Sequence, residues 1–67
     1  MHGIVTAFDA VVGLGVVTAD DGTELAFHCA EIADGSRQIE VGRGVEFERR
    51  SKLGRYEAMA IRPTPWP

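Results

Sequence analysis

The chain has 67 residues, a net charge of −3 and 45% apolar residues. A chain this short buries only about 60% of its unfolded surface, which leaves room for one core and excludes a second domain or a deep catalytic cleft. The acidic balance argues against strong non-specific phosphate binding, and no apolar run approaches the roughly 20 residues of a membrane span.

The N-terminus, Met1-His2-Gly3-Ile4-Val5-Thr6, has neither a basic start nor a long apolar core, and does not read as a signal peptide. Ile4 to Phe8 is β-branched or aromatic at four of five positions and predicts a first strand. Asp9 to Gly13 is a connection in which Gly13 lets the backbone turn. Gly15 then allows a neighbouring segment to come close. Leu14 to Thr18 predicts a second strand. Asp20-Asp21-Gly22-Thr23 predicts a tight turn with Gly22 left-handed and the Asp side chains capping backbone groups. Glu24 to Cys29 predicts a third strand, so the centre of the chain reads as a β-hairpin.

Period-two alternation assigns the faces. Leu25, Phe27 and Cys29 share one side of the third strand and Ala26 and His28 the other; the large pair Leu25 and Phe27 belongs to the core. In the second strand the same logic puts Val17 inside and Leu14 and Val16 outside. Ala30 to Ala33 predicts one helical turn, with Ile32 plugging the end of the core, and Asp34 to Gln38 a loop. Gly42-Arg43-Gly44 is a further turn. Val45 to Arg49 alternates strictly and predicts a fourth strand with Val45 and Phe47 inside. Ser51 to Arg55 predicts a hairpin loop, and Tyr56 to Ile61 a fifth strand with Met59 and Ile61 inside. The expected division is one domain over residues 1–62 and an extended Pro-rich tail over 63–67, carrying Trp66. Five short strands separated by turns predict a small closed all-β barrel, which also removes exposed edges. An SH3-like barrel packs the same number of strands into this length.

The chemistry-bearing residues are few. Cys29 is the one cysteine, so no internal disulfide can form, which points to the cytoplasm. His2 and His28 are far apart, and no Cys or His cluster has zinc spacing. Asp20 and Asp21 lie in a hairpin turn, where caps are common. No nucleophile–base pair or phosphate-binding loop is visible, and the Gly13-Leu14-Gly15 pair lacks the rest of such a motif. The chain is therefore expected to be no enzyme and to need neither metal nor cofactor.

At this point the residues resemble the bacterial cold-shock proteins, members of the cold-shock domain family with a five-stranded antiparallel OB-fold barrel. The resemblance runs from about Gly3 to Ile61. Gly3-Ile4-Val5-Thr6-Ala7-Phe8-Asp9 stands where the family has G-x-V-K-W-F-N, and Val12-Gly13-Leu14-Gly15-Val16-Val17 where it has K-G-F-G-F-I. Leu25-Ala26-Phe27-His28-Cys29 stands where it has V-F-V-H-F. Downstream, Ala30-Glu31-Ile32 resembles S-A-I, Val41 to Glu48 resembles E-G-Q-x-V-x-F-E, and Glu57 to Ile61 resembles Q-A-A-N-V.

The resemblance implies binding of single-stranded DNA or RNA by stacking bases on an aromatic platform, with cations tracking the phosphates. Residue by residue, that platform is reduced. The Trp position is Ala7, the Phe pair of the first motif is Leu14 and Val16, and the Phe positions of the second are Ala26 and Cys29. The basic positions are Thr6 and Val12. Phe8 and His28 retain a π surface. Four or five lost stacks at about 1–3 kcal/mol each remove on the order of 5 kcal/mol, or roughly three decades of affinity. Weak binding is therefore expected.

The charge is uneven. Arg49, Arg50, Lys52 and Arg55 are four of the seven basic residues. This basic hairpin joins the last two strands, where OB-folds often grip nucleic acid. The candidate binding residues are Phe8, Leu14, Val16, His28, Arg49 and Arg55. The alternative is a protein partner, or a second copy of the chain, for the aliphatic patch of Val12, Leu14, Val16 and Ala26.

Overall fold

The structure is a computed structural model that describes residues 1–33, 35 and 38–64, with Lys52 described by its backbone alone. The expectations for Asp34, Ser36 and Arg37 in the predicted loop, and for Pro65, Trp66 and Pro67 in the tail, lie outside the described residues.

Five strands form: β1 (His2–Asp9), β2 (Leu14–Ala19), β3 (Glu24–His28), β4 (Gly44–Lys52) and β5 (Arg55–Pro63). They close a barrel in the order β1-β2-β3-β5-β4. The predicted all-β OB-type barrel is therefore present, with one refinement of strand direction. Every neighbouring pair is antiparallel except β3 and β5, which meet in parallel through Ala26 and Glu57. A 3₁₀ turn, Cys29–Glu31, leads out of β3. Among the described residues, no helix is long and apolar enough to cross a membrane.

Turn chemistry places the first three strands. The Asp9 carboxylate accepts from the Val11 and Val12 amides at 3.0 and 3.4 Å, and Gly13 adopts φ +73°. The Asp21 carboxylate accepts from the Thr23 amide at 2.9 Å beside Gly22 at φ +90°. Short polar side chains and glycine provide what these tight reversals require.

The core is aliphatic with two central Phe rings. Val5, Val17, Leu25, Phe27, Ile32, Val45, Phe47, Ala58 and Ile61 are buried together. The alternation read from β2, β3 and β4 holds, and Ile32 seals the barrel end as expected, bridging to Ile61. In β5 the inward residues are Ala58 and Ile61, with Met59 only half-buried, rather than Met59 and Ile61. The cause is a bulge. Between Glu48↔Met59 and Glu46↔Arg62, β5 has one residue more than β4, and Ala60 lies there at φ +52°. An extra residue reverses the side-chain parity beyond it.

β5 also continues past Ile61. Pro63 pairs with Val45, and the Thr64 amide donates to the Gly44 carbonyl at 3.0 Å. Proline is tolerated there because it stands at a strand end. The hairpin between β4 and β5 is shorter than predicted: the strands pair as far as Lys52↔Arg55, and only Leu53 and Gly54 make the turn.

Near the seam between β1 and β4, Glu46 accepts from Arg62 at 2.6 Å and lies 3.1 Å from His2 Nε2. The Arg62 hydrogen bond and charge, assisted by His2, hold its carboxyl below the usual glutamate value of 4.5. A depressed folded value means that the stability contributed is present above about pH 4.5 and is lost as pH falls through the folded value. In urea melts between pH 6 and 2.5, the Glu46→Gln variant should therefore show a shallower acid-side loss than the parent. The exposure of the pair keeps the difference small.

Candidate nucleic-acid interface

The outer surface of β1, β2 and β3 is set by the ladder. Leu14 faces His28, and Val16 faces Ala26 on one side and Ala7 on the other. These rows alternate with inward rows in which Gly15 faces Phe27 and Val17 faces Leu25. Leu14, Ala26 and His28 are exposed and Val16 is half-buried. Three of the predicted residues, Leu14, Val16 and His28, thus share one face with Ala26.

The parallel seam carries this face onto β5 and β4. Ala26 meets Glu57, and Glu57 pairs with Arg50. Together with Leu14, His28, Glu31 and Met59 these residues line a depression of about 370 Å³. It combines an aliphatic floor with one guanidinium, one imidazole and two carboxylates. The mixed charge distinguishes it from a strongly cationic phosphate groove.

The His28 ring is held by its own chain. Nδ1 accepts from the Ala30 amide at 3.1 Å and caps the 3₁₀ turn. With Nδ1 used as an acceptor, the ring hydrogen belongs on Nε2. The ring orientation is therefore set before any ligand arrives.

Phe8 is the predicted residue that the structure moves elsewhere. It lies in the inward row Phe8–Gly15–Phe27, half-buried, with its ring stacked on Phe27 at 5.9 Å and an interplanar angle of 2°. The cause is a bulge at Thr6. Val5 pairs with Val17 and Ala7 with Val16, so Thr6 is an extra residue and Phe8 turns to the core side. The ring borders a different, open depression with Ala10, Gln38, Ile39 and Glu40. Thr6, on the outside, meets Thr18 Oγ1 at 3.0 Å.

The two predicted arginines also part company. Arg49 has the parity of Phe47, and its guanidinium lies 4.5 Å from the centroid of the Tyr56 ring. Its charge also reaches Asp21 in the β2–β3 turn, whose carboxyl is held low chiefly by the Thr23 backbone hydrogen bond. Arg55 has the parity of Glu57, on the other face of the hairpin. Arg50, part of the predicted basic hairpin but not of the candidate binding residues, lines the depression beside Leu14 and His28. Extending the Val45–Phe47 alternation by three residues would have found it.

Comparison with known proteins adds three findings. The sequence matches the family model described as "'Cold-shock' DNA-binding domain" over residues 1–64. Among solved structures, the chain is similar to one described as drosophila Unr CSD456, with 28% identity and a TM-score of 0.80. That similarity covers 96% of this chain and 26% of the Unr chain, so this chain spans about a quarter of its length. No curated protein matches.

Proposed function

The chain belongs to the "cold-shock" DNA-binding domain family, whose members bind nucleic acid and are not enzymes, and from that membership we propose that it is a weak binder of single-stranded DNA or RNA. The observation that carries this reading is the continuous outer face of Leu14, Val16, Ala26 and His28, positions that the sequence resemblance assigns to the family's stacking platform. Arg50 and Arg55 supply cations along its β4–β5 side, while Arg49 sits on the reverse of the hairpin with Tyr56. Phe8 acts beneath the face, by stacking on Phe27. Aliphatic side chains replace the aromatic ones, so each contact is weaker than a base–ring stack of about 1–3 kcal/mol. The single cysteine, which leaves no internal disulfide, supports a reducing compartment such as the cytoplasm.

The test is an amide-shift titration by NMR with a short pyrimidine-rich single strand at low salt. Shifts at Leu14, Val16, Ala26, His28 and Arg50 that fade as salt rises are expected. Silence up to millimolar oligonucleotide would refute the reading. A second reading would then take its place, because Val11 and Val12, just before this face in sequence, are exposed together with Leu14 on it, Val11 by 95%. An aliphatic edge of that kind suits a protein partner or a second copy of the chain.

His28 permits a separation of binding from stability. His28→Asn keeps a side-chain acceptor for the Ala30 amide and removes the ring. It should melt within about 0.5 kcal/mol of the parent, because Asn is a good cap. It should bind the oligonucleotide roughly fivefold or more weakly, which is the loss of about one stack. His28→Ala removes the cap as well and should cost about 1 kcal/mol of stability.

A further inference from the structure

The tip of the β4–β5 hairpin is an apolar knob built at odds with its own backbone. Leu53 and Gly54 form the two-residue turn with φ +50° and +78°. Turns with two positive φ values favour Asn, Asp or Gly at the first position. A leucine there is strained, and such strain points to a role for the side chain. Leu53 has no packing role in its own chain, since it is 95% exposed. Cations surround it: four of the chain's seven basic residues lie between Arg49 and Arg55. Among the described residues, Arg50 and Arg55 have no ion-pair partner.

A hole of matching chemistry lies elsewhere on the barrel. The open depression at the end of β1, about 450 Å³, is lined by Phe8, Ala10, Gln38, Ile39 and Glu40. Its floor is apolar and firm. The Phe8 ring is stacked on buried Phe27, and Ile39 packs against the core from the segment before β4. Its rim is acidic. Glu40 is exposed, and Asp9, also exposed, precedes Ala10. Among the described residues neither carboxylate has an ion-pair partner. One chain thus carries an apolar knob among unpaired cations and an apolar hole beside unpaired carboxylates. The exposure of Leu53 shows that the knob does not fill the hole of its own chain.

We propose that the hairpin tip of one molecule seats in this depression on a second copy of the chain, with Leu53 against Phe8 and Ile39 and the neighbouring arginines against Glu40. Knob and hole are different surfaces, so the contact is heterologous, and a pair of molecules still offers one free knob and one free hole. Contacts of this kind build open head-to-tail chains unless the rotation closes a ring. Opposite charge favours knob on hole over knob on knob or hole on hole, and fixes the register. One side chain with a few ion pairs buries less than about 1,200 Å² in total, so the association is weak and needs a high chain concentration. It is independent of the nucleic-acid reading, because neither Leu53 nor the depression belongs to the outer face of Leu14, Val16, Ala26 and His28.

The test follows translational diffusion and amide shifts of the full chain by NMR, without nucleic acid, from about 20 μM to about 2 mM, a range suited to a weak contact of this size. Diffusion should slow progressively with concentration, past the value for a dimer. Shifts should grow together at Leu53, Gly54, Phe8, Ala10 and Ile39. Leu53→Asn suits the left-handed position, so it should fold and melt at a higher temperature than the parent. It should associate roughly tenfold or more weakly, the order of one buried leucine side chain. Glu40→Lys sets an ammonium against the arginines and should weaken association as much. The decisive sample mixes the two variants. Leu53→Asn retains the hole and Glu40→Lys the knob, so the mixture should form a one-to-one pair that grows no further. A parent that stays monomeric over the whole range overturns the proposal. So do shifts confined to Val11, Val12 and Leu14, a Leu53→Asn variant that associates within twofold of the parent, and a mixture no more associated than its components.

Discussion

A triple variant, Leu14→Phe, Ala26→Phe and Val12→Lys, should bind a short pyrimidine single strand about a hundredfold or more tightly than the parent. Leu14 and Ala26 stand on adjacent outward rows, opposite His28 and Val16 respectively, so two new rings would lie diagonally across one face. Each base–ring stack contributes about 1–3 kcal/mol, and two together are worth between roughly 30-fold and 20,000-fold. Val12, 59% exposed just before β2, would place an ammonium beside them. One added phosphate contact should steepen the salt dependence by about 0.7 in log–log slope. Leu14 is already 52% exposed, so the larger rings meet solvent rather than core. The melt should therefore change little. A folded triple variant with no gain in affinity would show that this face does not engage bases.

A large loss of stability from a small substitution is expected at Gly15. A Cβ there would lie 2.4 Å from Phe27 Cζ and 2.7 Å from the Ala7 carbonyl oxygen. Phe27 cannot swing aside freely, because it is buried in the core and stacked on Phe8. The Ala7 oxygen is backbone. Overpacking of this kind costs about 1–3 kcal/mol, and more where backbone must shift. A domain of this size has only about 3–10 kcal/mol in total. Gly15→Ala should therefore lower the urea midpoint sharply and leave part of the population unfolded at 37 °C. The clash predicts its own partial remedy. In the double variant with Phe27→Leu, the two losses should sum to less than their separate values, because the shorter side chain vacates the space the new methyl enters. Full additivity would show that the strain lies elsewhere.

These two experiments draw on opposite sides of the same rows. Gly15 lies between Phe8 and Phe27 under the face, and Leu14 and Val16 flank it on top. The absence of a side chain at Gly15 lets the Phe27 ring fill the barrel directly beneath the exposed residues. The rigidity of the outer face and the packing of the core are for this reason linked through one glycine.

Much of this was legible from residue order. Leu25 and Phe27 alternate with Ala26 and His28, and the Cβ geometry of a strand turns that pattern into an inside and an outside without reference to any partner. Asp9, Gly13, Asp21 and Gly22 mark turns because each supplies a local hydrogen bond or a positive φ that needs no tertiary help. The close approach at Gly15 was visible for the same reason, as a strand position with no side chain. From such local signals followed the five-stranded barrel, its central core residues and the face shared by Leu14, Val16 and His28.

Other features depended on closure of the barrel. Thr6 and Ala60 are ordinary residues at bulges, and nothing local marks either as supernumerary; each bulge exists because two strands of unequal local length must pair around a closed sheet. The first bulge turns Phe8 from the expected platform to the core side, half-buried against Phe27, and the second exchanges Met59 for Ala58 inside. Arg50 reaches the depression beside His28 only because β3 and β5, far apart in sequence, meet in parallel at Ala26 and Glu57. The strain at Leu53 follows from the pairing of Lys52 with Arg55, which shortens the hairpin to two residues and forces a positive φ on a leucine. Residue order determined which side chains alternate and where the chain turns, because those are properties of a few adjacent peptide units. The tertiary structure decided which residue is extra, which strands meet across the seam and which cations face the site, because those depend on how the whole sheet closes.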